Sequence, residues 1–211
     1  MFGIHDLPLF VMSCVLLNVT PGQDTMYIIG RSVAQGRRAG LLSAMGIMTG
    51  VLVHTLLAAL GLSMILATSS LAFAAVKYAG AVYLVWIGIG FLIRRSDHTS
   101  PPHAPEGAFD AWKIFRQGVL TNVLNPKVAL FFLSFLPQFV SPQADPVFLP
   151  FMALGLVFFT TGSIWCLLLA SGASWLSTRI GSRGSAGRLL QRLTGALFIG
   201  LGIRLAFSRA A

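Results

Sequence analysis

Six long apolar runs are separated by polar stretches: Leu7–Gly30, Leu41–Leu66, Leu71–Ile93, Gly118–Val140, Val147–Ala170 and Leu189–Phe207. Each is close to the roughly 20 residues a helix needs to cross a bilayer. Arg192 and Arg204 lie near the ends of the sixth run, where long side chains can reach the headgroups. Two runs are interrupted. Asn18-Val19-Thr20-Pro21-Gly22-Gln23-Asp24 breaks the first, and Asn122-Val123-Leu124-Asn125-Pro126-Lys127 breaks the fourth. Proline has no N–H, so Pro21 frees the carbonyl of Leu17 and Pro126 frees that of Asn122. Broken backbone at membrane depth persists only where neighbours satisfy it or where it lines a cavity.

Each half of the chain has three runs and opens on the broken one. An odd number of spans per half turns the second half over, which makes an inverted repeat. The expected fold is an all-α integral membrane protein. It has six transmembrane helices as two inverted three-helix repeats, the first helix of each broken at proline. One membrane domain spans the chain: repeat 1 over about 7–93, a cytoplasmic linker over about 94–117, and repeat 2 over about 118–207. In such an architecture the two broken helices meet near the midplane and form the substrate site.

Composition agrees. Of 211 residues 55% are hydrophobic and only 10% charged, where a soluble domain carries about a quarter charged. No basic segment precedes Leu7, so no cleavable signal peptide is expected. The net charge of +9 is unevenly spread. With six spans, Arg31, Arg37, Arg38, Arg94, Arg95, Lys113, Arg116, Arg179, Arg183, Arg188 and Arg192 fall on one side. The positive-inside rule makes that side cytoplasmic and puts both termini outside. Anionic lipid then accounts for the basic surplus without nucleic acid. Arg31–Gly40 reads as a short basic loop, and Phe109–Arg116 as an amphipathic lead-in at the cytoplasmic surface.

The polar groups inside the runs carry the chemistry. A carboxylate near mid-membrane costs about 2.5–3.5 kcal/mol, so Asp24 points to function. Lys127 brings a second buried charge of opposite sign. A free amino acid needs both: a cationic donor for its carboxylate and an anionic acceptor for its ammonium. The substrate site expected from this is Asn18, Thr20, Pro21, Gly22, Gln23 and Asp24 with Asn122, Asn125, Pro126 and Lys127. Lys127 and nearby N–H groups would take the carboxylate, and Asp24 the ammonium. Direct pairing of Asp24 with Lys127 would also make both tolerable, and the two readings combine if the pair opens on binding.

His54 shares a helix face with Gly46, Gly50, Ala58 and Gly61, so it should point into the bundle. It is either a satisfied structural histidine or a proton-coupling group. Gly46-x-x-x-Gly50 permits close backbone approach. Such glycine faces pack within one chain or between two, which leaves a homodimer open. Lys77 lies on a face with Ala81, Leu84 and Gly88, and either snorkels to the outer headgroups or faces the pathway. Cys14 and Cys166 form no C-x-x-C and read as small apolar core residues, with a redox pair as the alternative. His98 and His103 sit in a proline-rich linker with no ligand set around them, so neither metal nor cofactor is expected.

At these residues the chain resembles the lysine-exporter superfamily, in its homoserine/threonine-exporter-like branch. The resemblance runs over almost the whole length. It rests on Thr20-Pro21-Gly22 followed by Asp24, Gln35-Gly36-Arg37, Gly50 with Leu52-Val53-His54, and Lys77 followed by Gly80-Ala81 and Tyr83-Leu84. It continues through Asn122, Asn125-Pro126-Lys127, Phe131-Phe132 and Pro137-Gln138-Phe139. Gln23 stands where many relatives have proline, and Val51 where some have an acidic residue. The resemblance implies proton-driven export of amino acids or close derivatives from the bacterial cytoplasm across the inner membrane, with threonine, homoserine or other neutral amino acids favoured. A transporter of another small metabolite or ion is the alternative. A membrane-embedded enzyme fits poorly: the single glutamate, Glu106, lies in the linker, and no H-E-x-x-H or Ser/His/Asp set is legible.

Overall fold

A computed structural model describes residues 3–62, 109–141 and 143–180, with scattered positions between 75 and 92 and between 196 and 203. Lys77, most of the third and sixth apolar runs, and the linker histidines lie outside the described residues. Within them the chain is helical, and the sole β-type pairing is an isolated bridge, Ile4 to Val140.

Helix α1 (Leu7–Val19) starts with proline in its first turn, where a missing N–H costs nothing. It ends because Pro21 cannot donate to the next carbonyl. The Thr20 N–H makes the last bond, to Leu16 O at 3.1 Å. The chain restarts at Gly22, whose carbonyl accepts from Met26 N at 3.0 Å, and α2 (Gln23–Gln35) follows. Thr25, Ile28, Ile29 and Ser32 are buried at helical spacing and form its inner face. At 13 residues, α1 rises only about 20 Å, short of a hydrocarbon core of about 30 Å.

Here the structure corrects the sequence. Arg31–Gly40 is not a loop. α2 runs to Gln35, and α3 (Arg37–Leu57) starts after the single residue Gly36. Gly36 has φ 82°, a conformation that side chains with a Cβ rarely adopt. A Cβ there would meet nothing within 4 Å, so the requirement is conformational, not steric. Gly36→Ala should lower stability by about 1–2 kcal/mol, read as an earlier thermal unfolding in detergent. Unchanged unfolding would mean the α2–α3 corner relaxes freely.

Arg31 is buried as well, not spread on an anionic surface. Its guanidinium donates to Gln35 Oε1 at 2.9 Å and to Gln117 Oε1, and it lies 5.6 Å over the Tyr27 ring. Tyr27 OH donates to the carbonyl of Ile114 at 2.8 Å. These contacts tie α2 to α4 (Ala111–Val123). α4 begins at Ala111, ahead of the apolar run expected from Gly118, so the amphipathic lead-in is the first part of the helix itself. The Asp110 side chain caps it, accepting from Lys113 N at 3.0 Å.

After the second break comes α5 (Pro126–Ser134), capped by the Asn125 side chain, which accepts from Lys127 N at 3.0 Å. A 3-10 turn, Leu136–Phe139, leads to Val140. α4 and the α5 segment are bent by 47° at the break. Of the helices with described bounds, α6 (Phe148–Ile180) is the longest. α3 with its continuation (Arg37–Leu62) and Phe148–Gly172 are each long and apolar enough to cross a membrane, and the bent α4–α5 pair counts as a third.

Contacts at the ends fix the relative directions. Ile4, before α1, bridges to Val140, after α5. At the other end Arg38 lies 5.3 Å over the Phe109 ring, just ahead of α4. The two broken segments therefore run antiparallel. α3 packs on α4 through small residues: a Cβ on Gly46 would come within 3.0 Å of Gly118 Cα. The Gly46/Gly50 face serves this close approach within the chain. Phe10, Phe131, Phe135, Phe139 and Phe158 form one aromatic core, with ring centroids 4.7 Å apart for Phe131–Phe135 and Phe135–Phe139. Cys14 is buried in that core and Cys166 in a second cluster with Ile28, Ala44 and Leu169. Both are free thiols in separate clusters, as small apolar residues would be. Many large apolar side chains on the outer helix faces are exposed, among them Leu57, Leu60, Leu124 and Leu168. Such a surface suits lipid and not water.

Candidate functional site

The two breaks meet, and each is satisfied by a side chain from the other half. Lys127 Nζ donates to Leu17 O at 2.7 Å and to Thr20 O at 2.8 Å. Leu17 O is the carbonyl that Pro21 frees. In return His54 Nε2 lies 3.1 Å from Asn122 O, which Pro126 deprives of its i+4 donor and which also accepts from Asn125 N at 2.9 Å. A carbonyl only accepts, so this Nε2 carries the hydrogen. The His54 ring stacks on Phe132 at 5.7 Å between centroids and is buried. His54 thus has the satisfied structural position, whatever else it does.

Asp24 sits in the first turn of α2, where the exposed N–H groups favour a negative charge. Asn122 Nδ2 donates to its Oδ2 at 2.8 Å. Its Oδ1 is buried with no hydrogen-bond partner. Asp24 and Lys127 do not pair directly: among the described residues the recorded ion pair is His5 with Asp6, at 3.9 Å. Of the readings the sequence left open, direct pairing is not the geometry found. The ammonium is drawn to two backbone carbonyls at the first break, and the carboxylate is held by a neutral amide.

A cavity of about 40 Å³, counted as space for the centre of a water molecule, opens between these groups. Asn18, Gly22, Asp24, Asn122, Asn125 and Lys127 line it. Thr20, Pro21, Gln23 and Pro126 belong to the breaks but do not line it, and Pro21, Gln23 and Pro126 are exposed. The Thr20 side chain is turned back onto its own helix, donating to Leu16 O at 2.6 Å. Asn18 Nδ2 donates to Thr161 Oγ1 on α6 at 3.2 Å, which closes the first break against the fifth apolar run. A volume that size admits a few waters. An amino acid would need the walls to part.

Sequence reasoning missed the wall that α6 supplies. Ser163 and Trp165 line the cavity beside Gly162. Ser163 Oγ and Trp165 Nε1 are buried with no hydrogen-bond partner. One hydroxyl and one indole in an apolar run carry no signal of the face they occupy. Gln117, which holds Arg31, was equally silent. Among the described residues no group of three His, Cys, Asp or Glu side chains is placed to hold a metal ion.

The family model for the LysE type translocator matches residues 15–209. An uncharacterised membrane protein of Pseudomonas aeruginosa is 32% identical, covering 97% of this chain and 96% of its own. A leucine efflux protein of Klebsiella pneumoniae is 27% identical over 97% of this chain and 96% of its own. A homoserine/homoserine lactone efflux protein of Salmonella typhimurium is 28% identical over 96% of each. No solved structure matches. Helices built for lipid, two mutually clasped breaks and a family match over nearly the full length agree: the chain belongs to the LysE type translocator family.

Proposed function

We propose that this protein is a secondary exporter of neutral amino acids, moving them out of the bacterial cytoplasm through the cavity between the two breaks. One observation carries the reading. The buried Asp24 Oδ1 lacks a partner in the same cavity that holds the Lys127 ammonium. An unsatisfied carboxylate oxygen in a low-dielectric site is costly unless a cation arrives to meet it. The α-ammonium of an amino acid is such a cation, and the remaining N–H of Lys127 is a donor for the carboxylate. Efflux of leucine and of homoserine by relatives supports an amino-acid cargo.

In this reading six spans form two inverted repeats, and the antiparallel broken segments are the counterparts that rock against each other. Both termini lie outside the cytoplasm. The proton gradient drives the cycle, with Asp24 and His54 as the titratable groups beside the pathway.

Export from cells overproducing the protein and loaded with dipeptides tests this directly. Release of leucine, threonine and homoserine is followed against empty-vector cells. Asp24→Asn keeps the size and the bond to Asn122 but removes the charge, and should slow release at least about tenfold, the loss of one charged hydrogen bond. Equal release by the variant and the parent would remove Asp24 from the site.

A further inference from the structure

We propose that α6 supplies the other half of the carboxylate subsite: the Trp165 indole N–H and the Ser163 hydroxyl are neutral donors for the α-carboxylate of the cargo. The inference deepens the amino-acid reading above and rests on it.

Three observations converge. First, Lys127 is largely committed. Two of its N–H groups are spent on Leu17 O and Thr20 O, which leaves one for a group with about four lone-pair sites. Lys127 alone cannot satisfy a carboxylate stripped of water. Second, the cavity holds two more donors in want of an acceptor. Trp165 Nε1 and Ser163 Oγ are both buried and unpartnered, and both residues line the same space as Lys127 and Asp24. An indole N–H donates only, so burying it without an acceptor is costly unless a ligand brings one. Third, the neighbouring turn of α6 is already docked at the break. Thr161 accepts from Asn18, and Gly162 faces the same side chain, a Cβ there lying 3.5 Å from its Oδ1, in ordinary contact. Ser163 and Trp165 are therefore held at the level of the break by a fixed contact.

The charges sort the cargo by end. Asp24 Oδ1 repels a carboxylate and accepts an ammonium. The Trp165 indole N–H and the last Lys127 N–H are donors only, so they take no ammonium and do receive a carboxylate, with the Ser163 hydroxyl able to donate beside them. Apolar lining from Met48, Phe158 and Leu169 is left for a side chain. The consequence is a specificity rule: the cargo needs a free α-carboxylate, and an α-amide of the same amino acid is carried poorly.

The test uses the purified full chain in proteoliposomes, with uptake of labelled L-leucine and L-homoserine. Unlabelled L-leucine and L-leucinamide compete. The parent protein should be inhibited by leucinamide at least about tenfold more weakly than by leucine. Trp165→Phe keeps the ring bulk and loses the N–H. It should weaken leucine about tenfold, the size expected for one hydrogen bond to a charged group, and leave leucinamide unchanged, so the preference collapses. Ser163→Ala should shift the same ratio in the same direction. The ratio is internal to each protein, so a lower yield of folded variant does not alter it, and Ser163→Ala carries the test if Trp165→Phe does not fold. Equal weakening of both competitors would make Trp165 a packing residue and overturn the proposal, as would an unchanged ratio in both variants. If the parent carries neither amino acid, the amino-acid reading itself falls, and this inference with it.

Discussion

Lys127→Met will lose transport and stability together, and a second neutralisation at Asp24 will not restore either. Methionine matches the length and apolar stem of lysine but cannot donate. Leu17 O and Thr20 O, now served at 2.7 and 2.8 Å, would be left without the ammonium at a break where Pro21 supplies no N–H. Interhelical hydrogen bonds inside membranes are worth about 1–2 kcal/mol each, so two lost bonds predict a destabilisation of about 2–4 kcal/mol. Transport should fall by at least about a hundredfold, because one substitution removes a cargo donor and loosens the α1–α5 clasp. Thermal unfolding in detergent and proteoliposome uptake measure the two losses. The double variant Asp24→Asn/Lys127→Met discriminates between mechanisms. Were the two charges partners only of each other, neutralising both would recover most of the loss. The observed geometry gives them different partners, carbonyls for one and Asn122 for the other, so the losses should add. Recovery in the double variant would restore the ion pair and remove the clasp.

What was legible in the sequence follows from where each fact is encoded. The two breaks and their freed carbonyls were readable because a missing proline N–H is covalent and local. The Gly46/Gly50 face and the inward position of His54 were readable because helical spacing alone puts them together. The partners of those groups were not. Leu17 O is answered by Lys127, and Asn122 O takes His54 in addition to its local donor Asn125 N; both side chains come from the other half of the chain, and no local pattern encodes a partner so distant. The same limit explains the basic segment after Gly30. Charged residues read as water-facing until a partner such as Gln117 appears and lets Arg31 be buried within the helix pair. It also explains Trp165 and Ser163, whose polar atoms look like ordinary content of an apolar run until the cavity shows them idle.

Gly50→Ala should cripple transport by a route that touches no charge. Gly50 is on α3, facing α4, and its Cα side is covered by Asn122. An added Cβ would lie 2.7 Å from both Asn122 Cβ and Oδ1, and 3.0 Å from Cγ. Contacts that short are repulsive, and the one with Asn122 Cβ, an atom fixed to the backbone, is not relieved by rotating the side chain. The residue must move with its helix. Asn122 serves both breaks at once: its amide holds Asp24 Oδ2, and its carbonyl holds His54 Nε2. One methyl group therefore displaces the carboxylate that meets the cargo and the cap on the second broken helix. Overpacking of this kind costs about 1–3 kcal/mol, and uptake should drop about tenfold or more because Asp24 leaves its geometry. Gly61→Ala is the matched control, since a Cβ there meets nothing within 4 Å, and it should transport at the parental rate. Thermal unfolding and leucine uptake of the two variants, side by side, separate a specific displacement of Asn122 from a general intolerance of alanine in these helices. If Gly50→Ala unfolds and transports like Gly61→Ala, the α3–α4 contact yields at no cost, and Asn122 is not the element that couples the two breaks.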